Sequence, residues 1–168
     1  RTAPTPTSPR QAMARMFAVL AILLVGAPPA CAVTFTVNST VDEVDAISGD
    51  GLCATATGAC TLRAAVQETN TLPGADTIAV PAGTYALTLA GPDEDLAATG
   101  DLDITDDVTV VGAGRDVTII TGAALAPEPL LSVLASTTTM SAVTFEGAAD
   151  PGVLAVAPPG TLLLTTST

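Results

Sequence analysis

Residues 60–70 read Cys-Thr-Leu-Arg-Ala-Ala-Val-Gln-Glu-Thr-Asn, and this stretch predicts the single helix that we expect after residue 33. Thr61 suits the N-cap, because its hydroxyl can accept a hydrogen bond from a backbone N–H of the first turn. An apolar stripe at three- and four-residue spacing follows, and it consists of Leu62, Ala65, Val66 and Thr69. Proline and glycine in segment 70–74 end the helix. A lone amphipathic helix needs a surface to cover, and the open end of a stack of β-strands is such a surface.

The chain after this helix alternates short strands with turns. The predicted strands are 77–80, 85–89, 102–104, 108–111, 117–120, 130–134, 140–145, 153–156 and 162–164. Short strands separated by glycine, proline and aspartate are typical of a sandwich, a barrel or a solenoid. Two segments that begin at Ser136 and Gly160 resemble each other and lie about 24 residues apart, a spacing that suits one coil of a parallel β-helix. No Asn-Gly or Asp-Gly hairpin turn joins two alternating runs, so we predict an all-β parallel β-helix, with a β-sandwich as the alternative.

Charge and composition exclude several classes of function. The 168 residues carry 17 acidic and 5 basic side chains, no histidine and a net charge of −12. All the acids follow residue 32, so that part of the chain is repelled by nucleic acid and by anionic membranes. Without histidine or lysine there is no Ser-His-Asp or Cys-His catalyst, no Schiff-base lysine and no common zinc site. We therefore expect neither an enzyme nor a nucleic-acid-binding protein.

An export signal precedes the strands. Residues 16–25 read Met-Phe-Ala-Val-Leu-Ala-Ile-Leu-Leu-Val, an apolar run that is too short to span a bilayer and is typical of a signal-peptide core. Small residues follow at the positions that a signal peptidase reads, which predicts cleavage between Ala32 and Val33. The mature chain is then secreted or held at the cell surface and has no membrane span. Attachment of a lipid to Cys31 is the alternative.

These patterns divide the chain into three parts. Residues 1–32 are an extension plus the signal peptide, residues 33–75 are an N-terminal cap with a disulfide loop and the helix, and residues 76–168 are the coils. The coils stop in mid-pattern, which predicts that the sequence is a fragment of a longer protein.

Two cysteines follow the predicted cleavage point, Cys53 and Cys60. In an oxidising compartment a pair this close predicts one small disulfide loop. Closing the loop stabilises the fold by roughly 2–3 kcal/mol. Free thiols are the alternative, although no Cys-x-x-Cys spacing supports redox activity.

The run CTLRAAVQETN resembles the CSLREA motif, a signature near the N-terminus of many exported bacterial β-helix proteins. The matching residues are Cys60, Thr61, Leu62, Arg63, Ala64 and Ala65, with Thr61 in place of serine and Ala64 in place of glutamate. The likeness extends to residues 33–39, 50–53, 76–78 and 81–85. The resemblance implies export and a right-handed parallel β-helix, and it implies no defined activity.

Carboxylates supply the only candidates for a chemical site. Asp101 and Asp103 lie on one face of a strand, about 7 Å apart, and paired carboxylates could act as acid and base on a glycoside. The other interpretation is a solvated strand face, followed by a polar turn at Asp106 and Asp107. Arg115 is expected to pair locally with its neighbour in the chain.

An acidic loop in the cap offers weak candidates for calcium, because this ion takes oxygen ligands and tolerates irregular geometry. The candidate ligands are Asp42, Asp45 and Asp50, and an ordinary acidic loop is the alternative. Arg63 could bind a polyanion or a partner, but we expect it to bond loop carbonyls or a nearby carboxylate such as Asp42 or Glu43. No cofactor other than calcium is expected.

Together these observations predict an exported, non-catalytic β-helix scaffold, adhesin-like, that contacts an extracellular glycan or a host or matrix surface. The alternative is the N-terminal fragment of a polysaccharide-degrading, pectate-lyase-like β-helix enzyme, because that fold also hosts carbohydrate chemistry and fold alone does not decide function. The sequence leaves the ligand, the mode of anchoring and the oligomeric state open.

Overall fold

The computed structural model describes residues 31–91, 94–122, 129–147 and 154–165, and the predicted export segment lies outside these ranges. The described chain is mostly β-structure in parallel sheets, with one short helix, α1 (Leu62–Thr71). The strands are β1 (Thr34–Thr36), β2 (Asp76–Val80), β3 (Gly83–Ala86), β4 (Leu102–Ile104), β5 (Val108–Gly112), β6 (Thr118–Thr121), β7 (Leu131–Leu134), β8 (Thr137–Ser141), β9 (Thr144–Glu146), β10 (Leu154–Ala157) and β11 (Thr161–Thr165).

From β2 onward, successive strands pass in turn through three separate parallel sheets. The five-stranded sheet has the order β1-β2-β5-β8-β11, and the two three-stranded sheets have the orders β3-β6-β9 and β4-β7-β10. Every pairing between described strands is parallel. The antiparallel hairpins of a β-sandwich are therefore not found among them.

The core consists of like side chains stacked in register. In the five-stranded sheet one inward-facing row is Phe35, Ile78, Val110 and Met140, and Leu164 continues this row in register but is exposed. The corresponding rows in the other two sheets are Tyr85, Ile120 and Phe145, and Leu102, Leu131 and Leu154. Each such side chain, when fully buried, contributes roughly 1.5–3 kcal/mol. A core almost without aromatic rings is possible because β-branched and aliphatic side chains stack well on a pleated surface.

The repeat predicted from the sequence is present in the strand register, whereas one predicted strand is wrong. Thr137 pairs with Thr161, so β8 and β11 are related by about 24 residues, as expected. The strand predicted at 140–145 is two strands, because Ala142 adopts a positive φ of 55° and turns the chain between β8 and β9. Gly112 lies against the carbonyl of Ala142, where a Cβ atom would clash.

Helix α1 begins as predicted. The hydroxyl of Thr61 accepts a hydrogen bond from the N–H of Ala64 at 3.0 Å, and this confirms Thr61 as the N-cap. The expected apolar stripe is buried, but so are the intervening polar residues Arg63, Gln67 and Glu68. The helix therefore has almost no solvated face, and its polar side chains must find partners inside the protein.

Candidate functional site

The disulfide between Cys53 and Cys60 is confirmed, with an S–S distance of 1.96 Å. Cys60 also ties this loop to the end of β1. Its carbonyl accepts the N–H groups of Asn38 and Ser39, and its own N–H donates to Oδ1 of Asn38 at 2.9 Å. The disulfide loop and the leading strand thus form one hydrogen-bonded unit.

Arg63 is fully buried and does what the sequence led us to expect. Its Nε donates to Oδ1 of Asp42 at 2.6 Å. Its Nη2 donates to Oδ2 of Asp42 at 3.3 Å. Its two terminal nitrogens also donate to the carbonyls of Ala97, Gly100 and Asp101 at 3.0, 2.8 and 3.1 Å. Because the protein surrounds the guanidinium, Arg63 links Asp42 to the segment before β4 and is inaccessible to a polyanion.

The three calcium candidates are not brought together. Asp42 bonds Arg63 and two backbone N–H groups after β3. Asp45 accepts the N–H groups of Ile47 and Ala54, and Asp50 accepts that of Leu52. Within the described ranges no group of three or more acidic, cysteine or histidine side chains is placed to hold a metal ion.

Glu68 of helix α1 organises the same acidic loop, a role that the sequence did not suggest. Its two carboxylate oxygens accept the N–H groups of Gly49 and Gly51 at 2.7 and 2.9 Å. Burial raises the pKa of Glu68, the two backbone hydrogen bonds oppose that rise, and the charges of Asp45 and Asp50 add to it.

Asn70 takes the place of a missing strand beside β4. Its Nδ2 donates to the carbonyl of Asp103 at 2.7 Å, and its Oδ1 accepts the N–H of Thr105 at 2.9 Å. In a parallel pair, the N–H of one residue donates to a carbonyl of the neighbouring strand, and its carbonyl accepts an N–H from the same strand. The two residues it bonds there flank the residue that stands opposite it. The side-chain amide reproduces that pattern and blocks the open edge of the sheet, where another chain could otherwise add.

Asp101 and Asp103 are not on a solvated face, and that part of our prediction is wrong. Each is only 3% exposed, because the loop before β4 folds over them. The hydroxyl of Ser132 donates to Oδ2 of Asp101 at 2.6 Å. Oδ2 of Asp103 is buried and has no hydrogen-bond partner among the described residues. Burial, together with the charge of Asp101, raises the pKa of Asp103 to about 7.

The neighbouring turn has a structural use, as expected, whereas the predicted pair at Arg115 is not formed. Asp106 accepts the N–H of Asp107, and Asp107 accepts that of Thr137 at the start of β8. The ion pair found within the described chain is that of Arg63, so Arg115 does not pair with Asp116 there.

The outer face of the five-stranded sheet carries a regular row of hydroxyl groups that the sequence analysis missed. Its members, which we call the threonine row, are Thr34, Thr77, Thr109 and Thr139 in register, with Leu163 at the end. A second outward row holds Thr36, Ala79, Val111, Ser141 and Thr165. Neighbouring positions are about 4.8 Å apart across strands and roughly 7 Å apart along a strand.

This face is uncharged and accessible. Thr34 is exposed, and Thr77, Thr109 and Thr139 are half-buried. Their four hydroxyls are not engaged in hydrogen bonds within the part of the chain that the structure describes. The pairing of strands that are far apart in sequence creates the row, so no local motif could have indicated it.

No helix among the described residues is long and apolar enough to cross a membrane. Comparison of the chain with models of known protein families, with curated proteins and with solved structures finds no match in any of the three. The resemblance to the CSLREA motif therefore stays a prediction, and the function has to be inferred from the chain's own residues.

Proposed function

We propose that this chain forms a right-handed parallel β-helix and acts, after export, as a non-catalytic scaffold that contacts a neutral extracellular glycan. The observation that carries the proposal is the threonine row on the outer face of the five-stranded sheet. A threonine recurs in four of the five strands of that sheet, at the strand spacing, and Leu163 takes the position in the fifth.

The order of the strands supports the β-helix. A chain that visits three parallel sheets in rotation and returns to the first after every third strand winds about one axis. Parallel strands with crossover connections wind right-handed in the great majority of cases. The row of identical side chains is then a consequence of coil stacking.

The chemistry of the face supports a neutral polyol as its ligand. Hydroxyls can donate to and accept from sugar hydroxyls, and exposed Val111 can contact apolar C–H groups. The chain's net charge of −12 disfavours an anionic polymer. Because each hydrogen bond is weak, useful affinity would come from many contacts made together along the row.

Export is supported by the apolar segment at residues 16–25 and by the disulfide of the cap, since disulfides persist mainly in oxidising compartments. The alternative, an N-terminal fragment of a polysaccharide-degrading enzyme, is disfavoured only in so far as it would use Asp101 and Asp103 as its acid and base. Both carboxylates are buried, and a general acid or base must lie within hydrogen-bond reach of the reacting atoms.

The proposal is tested by co-sedimentation of the full chain with insoluble neutral polysaccharides, with wild-type protein beside the double variant Thr109→Val and Thr139→Val. Valine keeps the branched shape and removes only the hydroxyl. Loss of two hydrogen bonds should weaken binding about 10- to 30-fold. Thr84→Val is the matched control, because Thr84 is exposed on a different sheet.

Equal binding by the double variant and the control would refute the threonine row as the contact surface. Failure of the wild-type chain to bind any neutral polysaccharide would refute the glycan. Release of sugar fragments that is lost in Asp101→Asn would overturn the non-catalytic role and favour the enzyme.

A further inference from the structure

Asp76 is an unusual residue at its position in the core. It faces inward from β2, and the residues in register with it in the next strands are Val108, Thr138 and Leu162. Its side chain is completely buried. A buried carboxylate is costly unless it is paired with a cation or fully hydrogen-bonded, so Asp76 needs a partner.

In the uncleaved chain the carboxylate of Asp76 has only part of the hydrogen bonding that it needs. Oδ1 of Asp76 accepts a single hydrogen bond, from the backbone N–H of Val33 at 2.8 Å. Oδ2 is buried and has no hydrogen-bond partner among the described residues. The ion pair found in the described ranges joins Arg63 and Asp42, so no arginine there compensates Asp76.

The atom that Asp76 does contact is the one that signal-peptide cleavage would change. The carbonyl of Val33 accepts the N–H of Thr77 at 2.8 Å, which holds Val33 beside β2. Cys31 and Ala32 are exposed. Hydrolysis of the Ala32–Val33 bond adds one water, leaves a carboxylate on Ala32 and converts the N–H of Val33 into an α-ammonium with three N–H donors and a positive charge.

We infer that Asp76 is a preformed receptor for the α-ammonium group of Val33, and that export processing completes the protein core by creating the missing cation. The inference rests on the proposed export of the chain. The new charge arises at the place where one hydrogen bond already exists, so little further ordering is needed. The backbone carbonyl of Asp107 accepts the N–H of Asp76 at 3.1 Å, which fixes the start of β2 at this position.

The direct test uses the folded full chain with a site-specific protease sequence in place of residues 27–32, so that the cut leaves Val33 first. Urea unfolding is followed by circular dichroism before and after the cut. The cut should lower the unfolding equilibrium constant about 10- to 100-fold, the size expected for a hydrogen bond between charged groups. A matched chain that is cut one residue earlier, and so begins at Ala32, should show no such gain.

The second readout is the pKa of the new α-amino group, measured by nuclear magnetic resonance on valine-labelled protein. Its ordinary value is about 7.7–8.0, and pairing with Asp76 should raise it by roughly one to two units. Asp76→Asn should abolish both the rise and the gain in stability. Asp103→Asn also removes a buried carboxylate with an unpartnered oxygen. It should change neither the raised pKa of the α-amino group nor the stability gained on cutting.

Cleavage before Val33 and the ion pair between Val33 and Asp76 can be refuted separately. Intact mass measurement of the exported chain tests processing, and a product that does not begin at Val33 would refute the natural cleavage site. The engineered cut tests the ion pair whatever that mass is. An unchanged unfolding equilibrium together with an ordinary amine pKa in the cut wild-type chain would overturn the inference, even if Asp76→Asn fails to fold.

Discussion

Replacing Asp103 by asparagine is expected to stabilise the protein at neutral pH and to flatten the pH dependence of its unfolding free energy. The folded-state pKa of Asp103 is about 7, raised from 3.8 mainly by burial. Between pH 3.8 and about pH 7, Asp103 keeps its proton in the folded protein and has lost it in the unfolded chain. The unfolding free energy therefore decreases as the pH rises through this window. Below it both states are protonated and the effect vanishes.

The size of the expected gain in unfolding free energy follows from the change in the pKa of Asp103. One pKa unit corresponds to about 1.4 kcal/mol, so a rise from 3.8 to about 7 costs the folded state about 4 kcal/mol at most above that pH. Asparagine removes the charge and keeps the shape, but one of its buried polar atoms stays unpaired, which costs roughly 1–3 kcal/mol. A net gain of about 2 kcal/mol at about pH 8 is the expected result.

The assay is urea unfolding of the oxidised chain followed by circular dichroism, because the sequence has no tryptophan to report by fluorescence. The difference between Asp103→Asn and wild type should grow steadily between about pH 4 and about pH 8. Asp95→Asn is the matched control, since Asp95 is exposed and also near Asp103, and its difference should stay small. A difference for Asp103→Asn that does not change with pH would refute the reasoning.

Three further variants test the segment of residues 33–75. Arg63→Met should destabilise the protein by about 3–5 kcal/mol in urea unfolding, because it leaves Asp42 buried without its cation; a loss below about 1 kcal/mol would show that the pair is screened by solvent. Asn70→Ala should cost about 1–3 kcal/mol by leaving two backbone groups of the β4 edge unpaired, and unchanged hydrogen exchange at Thr105 would contradict that role. Cys53→Ser with Cys60→Ser should cost roughly 2–3 kcal/mol, and an unshifted unfolding midpoint would show that the cap is held by its hydrogen bonds alone.

Much of the secondary structure could be predicted from local sequence. Glycine, proline and aspartate mark most strand ends, and Thr61 marks the start of helix α1. The break between β8 and β9 could not be predicted, because it depends on a positive φ at Ala142, and alanine gives no local signal for that conformation.

The site residues were harder to predict, because their environment comes from segments distant in sequence. The alternation around Asp103 indicates a solvent-facing side chain, and only the loop that folds over β4 buries it. Glu68 and Asn70 look like ordinary polar residues of an amphipathic helix, yet their partners lie 17 to 35 residues away in the chain. The disulfide and the role of Arg63 were predictable, since two cysteines close in sequence favour one disulfide and an arginine near several carboxylates and loop carbonyls readily bonds them.

The central claim is that the coils stack in register and so align the threonine row across the five-stranded sheet. Its most direct test is a distance measurement by pulsed electron paramagnetic resonance between spin labels at Thr34→Cys and Leu163→Cys, with Cys31 replaced by serine. Four strand spacings separate the two positions, which predicts a narrow distribution near about 19 Å between the Cα atoms. A broad distribution, or a mean distance well above this value, would contradict the stacking of the strands and with it the proposed glycan-contacting face.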